Sequence, residues 1–179
     1  MRYFRAIVLG TVLALLLVGA MGAADTKSHS VQMQVLEICV LRVTAAPSAL
    51  VISAPTQGGE NSPDATENST YLQYTSTVAA SKSRKITAAW GASDAAPAGC
   101  ALKLTATPSG GTNQGSSAGQ ITMSNAAADI VTTIKSCATG IGASNGARLA
   151  YVLTVTDPTL LVAAESKTTT VTFTLTDAS

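Results

Sequence analysis

The chain of 179 residues is 46% hydrophobic but only 4% aromatic and 12% charged, against roughly 25% charged residues in an average soluble domain, so its apolar character comes from small aliphatic side chains. Leaving aside Arg2 and Arg5 in the N-terminal segment, nine basic residues face ten acidic ones, a net charge of −1. A near-neutral surface speaks against nucleic acid and anionic lipid as partners. His29 is the only histidine, which leaves almost no material for His-based triads, His-rich zinc sites or haem ligation.

Met1–Ala24 reads as a secretory signal: Arg2 and Arg5, an apolar run Ala6–Leu17, then small residues that suit cleavage after Gly22 or Ala24. The apolar run is shorter than the ~20 residues a membrane helix needs, and polar Asp25–Ser30 follows at once. That break also argues against a type IV prepilin, whose apolar segment continues as a helix. About 155 residues remain, enough for one domain. Thr168–Ser179 carries no apolar tail, basic stop or LPxTG-like signal, so a secreted, extracellular or cell-surface protein with no membrane span in its mature chain is expected.

The segment Val31–Val43 changes pattern midway. Val31, Met33 and Val35 alternate with Gln32 and Gln34, after which Leu36, Ile38 and Val40 make the second face apolar. Thirteen extended residues would cover ~43 Å, whereas typical strands run ~17–20 Å. Either the strand bulges or switches sheets, or Ser30–Leu36 leaves its own domain to complete a neighbour's sheet. The domain division that follows is signal 1–24, extension 25–36 with Val31, Met33, Val35, Leu36 and Ile38 as candidate donor residues, and a domain over 37–179.

Further along, every convincing period is two. Strands are predicted at Leu50–Ser53, Tyr71–Val78, Ile86–Trp90, Ala101–Thr107, Gln120–Ser124, Asp129–Lys135, Arg148–Thr156 and Thr168–Thr176. The last of these sets Val171, Phe173 and Leu175 against Thr170, Thr172, Thr174 and Thr176, the alternation of a half-buried antiparallel strand. Turn-rich stretches lie at Pro55–Asp64, Pro108–Gly119 and Gly140–Gly146. Eight or nine strands, no helix and no βαβ spacing predict an all-β protein: a single Ig-like antiparallel β-sandwich with an extended N-terminal strand. A small barrel is the alternative.

Cys39, Cys100 and Cys137 follow the signal, in a compartment where disulfides persist. Cys100 and Cys137 each sit beside a loop and are the expected pair, closing about 38 residues for ~3–4 kcal/mol; Cys39 is then a buried thiol. Asn68-Ser69-Thr70 is a weak N-glycosylation sequon in a polar stretch. Trp90 suits the core better than a sugar platform, Lys82-Ser-Arg-Lys85 a solvated strand edge, and Asp94, Asp129 and Asp157 turn positions. No catalytic constellation, cofactor motif or metal-ligand spacing is present, so an enzyme is not expected.

Two functions suit such a domain: the subunit of a pilus-like filament polymerising head-to-tail by N-terminal strand donation, or a secreted monomeric β-sandwich that binds or adheres through loops such as Pro55–Glu67. With so many small apolar residues, a surface largely covered by copies of the same chain is the simpler state. The exported signal, the alternating strand ending near Cys39, the Thr-rich strands and the final Val-Thr-Phe-Thr-Leu-Thr resemble bacterial pilins, closest to chaperone–usher and spore-coat-U-like subunits. The resemblance implies a homopolymer built by donor-strand exchange through about Asp25–Leu36, with an assembly chaperone and outer-membrane usher as possible partners. The chain departs from these pilins in its C-terminus, Leu175-Thr-Asp-Ala-Ser179, which has no near-terminal Tyr, and in its cysteine spacing.

Overall fold

The computed structural model describes residues 26–178; the proposed signal Met1–Ala24 lies outside them. Within the described residues, 26–34 belong to one unit and form neither strand nor helix, and the chain from Val35 onward forms a second, compact unit. That second unit is all-β. Its strands are β1 (Ile38–Val43), β2 (Ala65–Thr77), β3 (Arg84–Trp90), β4 (Cys100–Thr107), β5 (Ser116–Ser117), β6 (Gln120–Thr122), β7 (Ala128–Ile134), β8 (Cys137–Ala138), β9 (Ala147–Val155) and β10 (Val171–Asp177), with one 3₁₀ turn at Pro158–Leu160.

Two antiparallel sheets face each other. One runs β1-β2-β9-β4-β6, with β8 beside the end of β2, and the other runs β10-β3-β7-β5. This is a β-sandwich and not a closed barrel. The order β1-β2-β9-β4 opposite β10-β3 matches A-B-E-D opposite F-C of the immunoglobulin arrangement. The alternation read in the sequence sets the core: Leu72, Ile86, Leu104, Ile130, Ile134 and Leu149 are fully buried between the sheets.

Five sequence expectations change. The thirteen-residue first strand is only six long, because just Ile38–Val43 pairs with β2, from Ile38 opposite Thr77 to Val43 opposite Leu72. Leu50–Ser53, between Pro47 and Pro55, is not a strand; Leu50 still packs on the core. β2 begins at Ala65, well before Tyr71, and a register shift between Glu67 and Thr70 takes Asn68 and Ser69 out of step with β9. The sequon therefore lies on a bulged strand, with Asn68 exposed. Asp129 likewise sits in β7, where its carboxylate meets Lys85 at 3.1 Å.

The fifth change is the basic cluster. Arg84 is not a solvated edge residue but is 5% exposed. Its guanidinium donates from Nε to Asp177 Oδ1 at 3.0 Å, from Nη1 to the carbonyls of Ile38 and Thr77, and from Nη2 to Glu37 Oε2 at 3.5 Å. The start of β1 and the ends of β2 and β10 thus meet on one side chain, which adds charge-assisted bonds to the last paired residues of the β1–β2 ladder. Cys39 Sγ donates to the Leu175 carbonyl at 3.4 Å nearby, drawing β1 against β10. Replacing Arg84 by Met is expected to lower stability by about 1–3 kcal/mol in urea denaturation, since it removes the charge-assisted bonds of a buried guanidinium that ties three strand ends together; Glu37→Gln, whose carboxylate is exposed, should change it by less than about 1 kcal/mol.

Candidate functional site

The final strand β10 pairs with β3 and with no other strand among the described residues. In the immunoglobulin arrangement a seventh strand, G, lies beside F; no described strand takes that place. Trp90 gives its N–H to Ser124 on the far side of β3, so by antiparallel alternation Thr172, Thr174 and Thr176 bond to β3 while Val171, Phe173 and Leu175 turn their N–H and C=O groups to the free edge. The same three residues point their side chains at the core, and all three are only partly buried. Apart from the Cys39 thiol at the Leu175 carbonyl, this edge has no cover among the described residues and lies above half-covered apolar side chains, a combination native sheets ordinarily avoid.

Beside the start of β10 the sandwich opens into a cleft of about 1260 Å³. Its floor is Trp90, Leu102, Tyr151, Leu153 and Thr70; its walls are residues 45–52, the turn 95–98 and residues 161–169. Trp90 therefore is neither wholly core nor a surface platform: it packs on the core and lines the cleft. Two polar groups lie beneath the apolar surface. Thr70 Oγ1 is buried without a partner, and Glu67, 9% exposed, accepts Ser69 N–H and Oγ–H on Oε1 while Oε2 has none. Burial, then the Glu67 carboxylate, push the Tyr151 phenol up to about 12.

The wall 157–170 is pinned. Asp157 Oδ1 accepts from Thr159 N and Oγ1, the Gly99 carbonyl accepts from Thr156 N and Asp157 N, Glu165 Oε2 from Ala98 N, and Asp94 Oδ2 from Thr170 N. The Thr159 bonds, side chain first and backbone second, lower the Asp157 pKa. Gly99 has φ +73° with the Asp157 carbonyl where a Cβ would stand, so only glycine lets these turns close on each other. Held outward on this frame, Leu160, Leu161 and Val162 are 38–64% exposed, and Val51 across the mouth is 72% exposed. Sequence analysis missed this apolar collar, Glu67 and Arg84; Leu160-Leu161-Val162 between two strands was the available signal.

Of the candidate donor residues, Val31, Met33, Val35, Leu36 and Ile38 are all exposed, between 41% and 87%. The cysteines depart from expectation. Cys100 aligns with Val155 at one end of its sheet and Cys137 with Ser76 at the other; the intervening length of β2 puts them roughly 30 Å apart, far beyond the ~7 Å a disulfide spans. All three thiols are free, and Cys39 is exposed, not buried. Cys39 and Cys137 flank Ser76 from either side, about 10 Å apart across one strand and again too far to join. Burial raises the Cys137 thiol, and burial followed by the Glu165 carboxylate raises Cys100.

No group of three or more His, Cys, Asp or Glu side chains placed to hold a metal ion occurs among the described residues, and no helix there is long and apolar enough to cross a membrane. No protein-family model matches the chain, and no curated protein or solved structure matches it. The class of protein defined so far is an immunoglobulin-type sandwich with an uncovered final strand.

Two measurements follow. A non-reducing peptide map should contain no Cys100–Cys137 linked peptide; finding one would refute the register that separates them. Because the Tyr151 pKa rises on folding, stability is intact below pH 10 and falls as pH climbs from 10 towards 12. Tyr151→Phe should lose roughly 2 kcal/mol less than wild type over that range in pH-dependent denaturation.

Proposed function

We propose that the protein is an exported structural subunit of a pilus-like extracellular filament, and that each copy donates its N-terminal extension to the free edge of β10 in the next. The observation that carries this reading is the edge itself: backbone groups of Val171, Phe173 and Leu175 without a strand partner, above half-covered side chains and next to an apolar cleft. The extension supplies the complement, since Val31, Met33 and Val35 alternate at strand spacing and are exposed in the single chain. Strand addition satisfies the edge by main-chain hydrogen bonds and fills the cleft with alternate side chains.

The ends of the domain support a head-to-tail arrangement. The chain enters β1 at Ile38, beside Arg84 and Asp177, whereas the cleft opens at Val43, Trp90 and Val171, the opposite end of β1 and β10. An extension hanging from one copy reaches the mouth of another, antiparallel to its β10, with no need to fold back on itself. Donor and acceptor are different surfaces, so the contact is heterologous and propagates as a fibre. A chaperone that shields the edge before assembly and an outer-membrane usher suit the same chemistry.

The size of the cleft favours one other reading, a secreted adhesion or binding module with an apolar ligand among Trp90, Leu102 and Phe173. Surface material sheared from producing cells separates the two. Strand exchange is expected to give fibres in negative stain and a ladder in detergent gels that collapses on boiling. Deleting residues 26–35 should abolish both, and Met33→Asp should reduce polymer at least about tenfold by burying an unpaired charge. Ladders that persist in the deletion rule out donation; a monomer band from the wild type favours the binding module.

A further inference from the structure

Resting on that reading, we infer that the apolar collar of Val51, Leu160, Leu161 and Val162 is a second subunit–subunit surface, occupied by Leu36 and Ile38 of the donating copy. The geometry leaves little choice of register. An antiparallel donor places Val31, Met33 and Val35 opposite Leu175, Phe173 and Val171, three apolar side chains against three. Insertion beyond Leu175 is stopped because Cys39 Sγ there takes one lone pair of the Leu175 carbonyl and draws β1 onto β10, while the second lone pair is left for Val31 N–H. Shallower insertion by two residues leaves Val35 outside the groove and one cleft position unfilled.

In this register only Leu36 and Glu37 separate the last inserted residue from Ile38, the first residue of β1 in the donor's own domain. Three residue steps span at most ~11 Å. Arg84 fixes the near side of that spacer, since Glu37 and the Ile38 carbonyl are both held on its guanidinium. The donor's base must therefore lie against the acceptor's mouth, where the collar stands out on its pinned loop. Leu36 breaks the Val31-Met33-Val35 phase and is 68% exposed. It points to the face opposite the groove row, and the collar gives it an apolar surface that strand exchange alone does not.

Val162→Asp in the full-length chain tests this, because Val162 is exposed and its change leaves the fold intact. The expected result is a boiling-sensitive ladder like that of the wild type, with filaments whose persistence length in electron micrographs falls by about threefold or more. Adding Leu36→Lys should restore much of the stiffness by pairing the new carboxylate. An independent readout is the Leu36→Cys, Val162→Cys double variant made together with Cys39→Ser to remove the exposed native thiol nearby; it should give a reducible covalent ladder that neither single cysteine replacement gives in the same background. Wild-type stiffness in Val162→Asp together with no such ladder overturns the collar and leaves strand exchange standing. Absence of any ladder from the unmodified chain overturns strand exchange, and the collar with it.

Discussion

A single buried guanidinium makes the two ends of this sandwich unlike. Arg84 binds the start of β1, the end of β2 and the end of β10 at one end, and Cys39 adds a contact across the sheets there. Nothing comparable links Val43 to Val171 at the other end, where the sheets part over the cleft. Charge-assisted hydrogen bonds are among the stronger polar interactions available to a fold. The chain leaves Ile38 at the end this side chain closes, and the cleft opens at the other.

The opening is compatible with a stable domain because the rest of the core does not depend on it. Leu104, Ile130, Ile134 and Leu149 are fully buried away from the uncovered strand, while Val171, Phe173 and Leu175 are left half-covered. The wall over the cleft is held by hydrogen bonds from Asp94, Asp157 and Glu165 and by close packing at Gly99, not by apolar burial. Its hydrophobic side chains are consequently turned outward, the reverse of the usual division between frame and core.

Period-two patterning made the sandwich legible from the chain alone, since β10 alternates Thr with Val171, Phe173 and Leu175, and β4 and β9 keep Leu102, Leu104, Leu149, Tyr151 and Leu153 on one face. What was not legible shares one cause: dependence on residues distant in sequence. Nothing local in Lys82-Ser-Arg-Lys85 says that its arginine is buried, because the partners are Ile38, Thr77 and Asp177. The bulge at Asn68 and Ser69 hides the first half of β2 behind a loop-like composition. Cysteine pairing needed the sheet register, which places Cys100 and Cys137 at opposite ends. The apolar alternation of Val31, Met33 and Val35 was readable in the chain, but the edge proposed to receive it exists only as one side of a strand, which no run of residues spells out.

The lack of a bridge between the first two strands bears on how the molecule would carry mechanical load. In a fibre joined by donated strands, tension arrives at Ile38 and leaves along β10. Cys39 lies opposite Ser76, so no covalent tie reinforces the step from β1 to β2. The pull instead runs parallel to a six-residue antiparallel ladder whose bonds must shear together and not unzip in turn, with the Arg84 contacts at the loaded end. Resistance to stretching then resides in hydrogen bonds that reform after rupture, so an overstretched subunit can recover its strand pairing when the force is released.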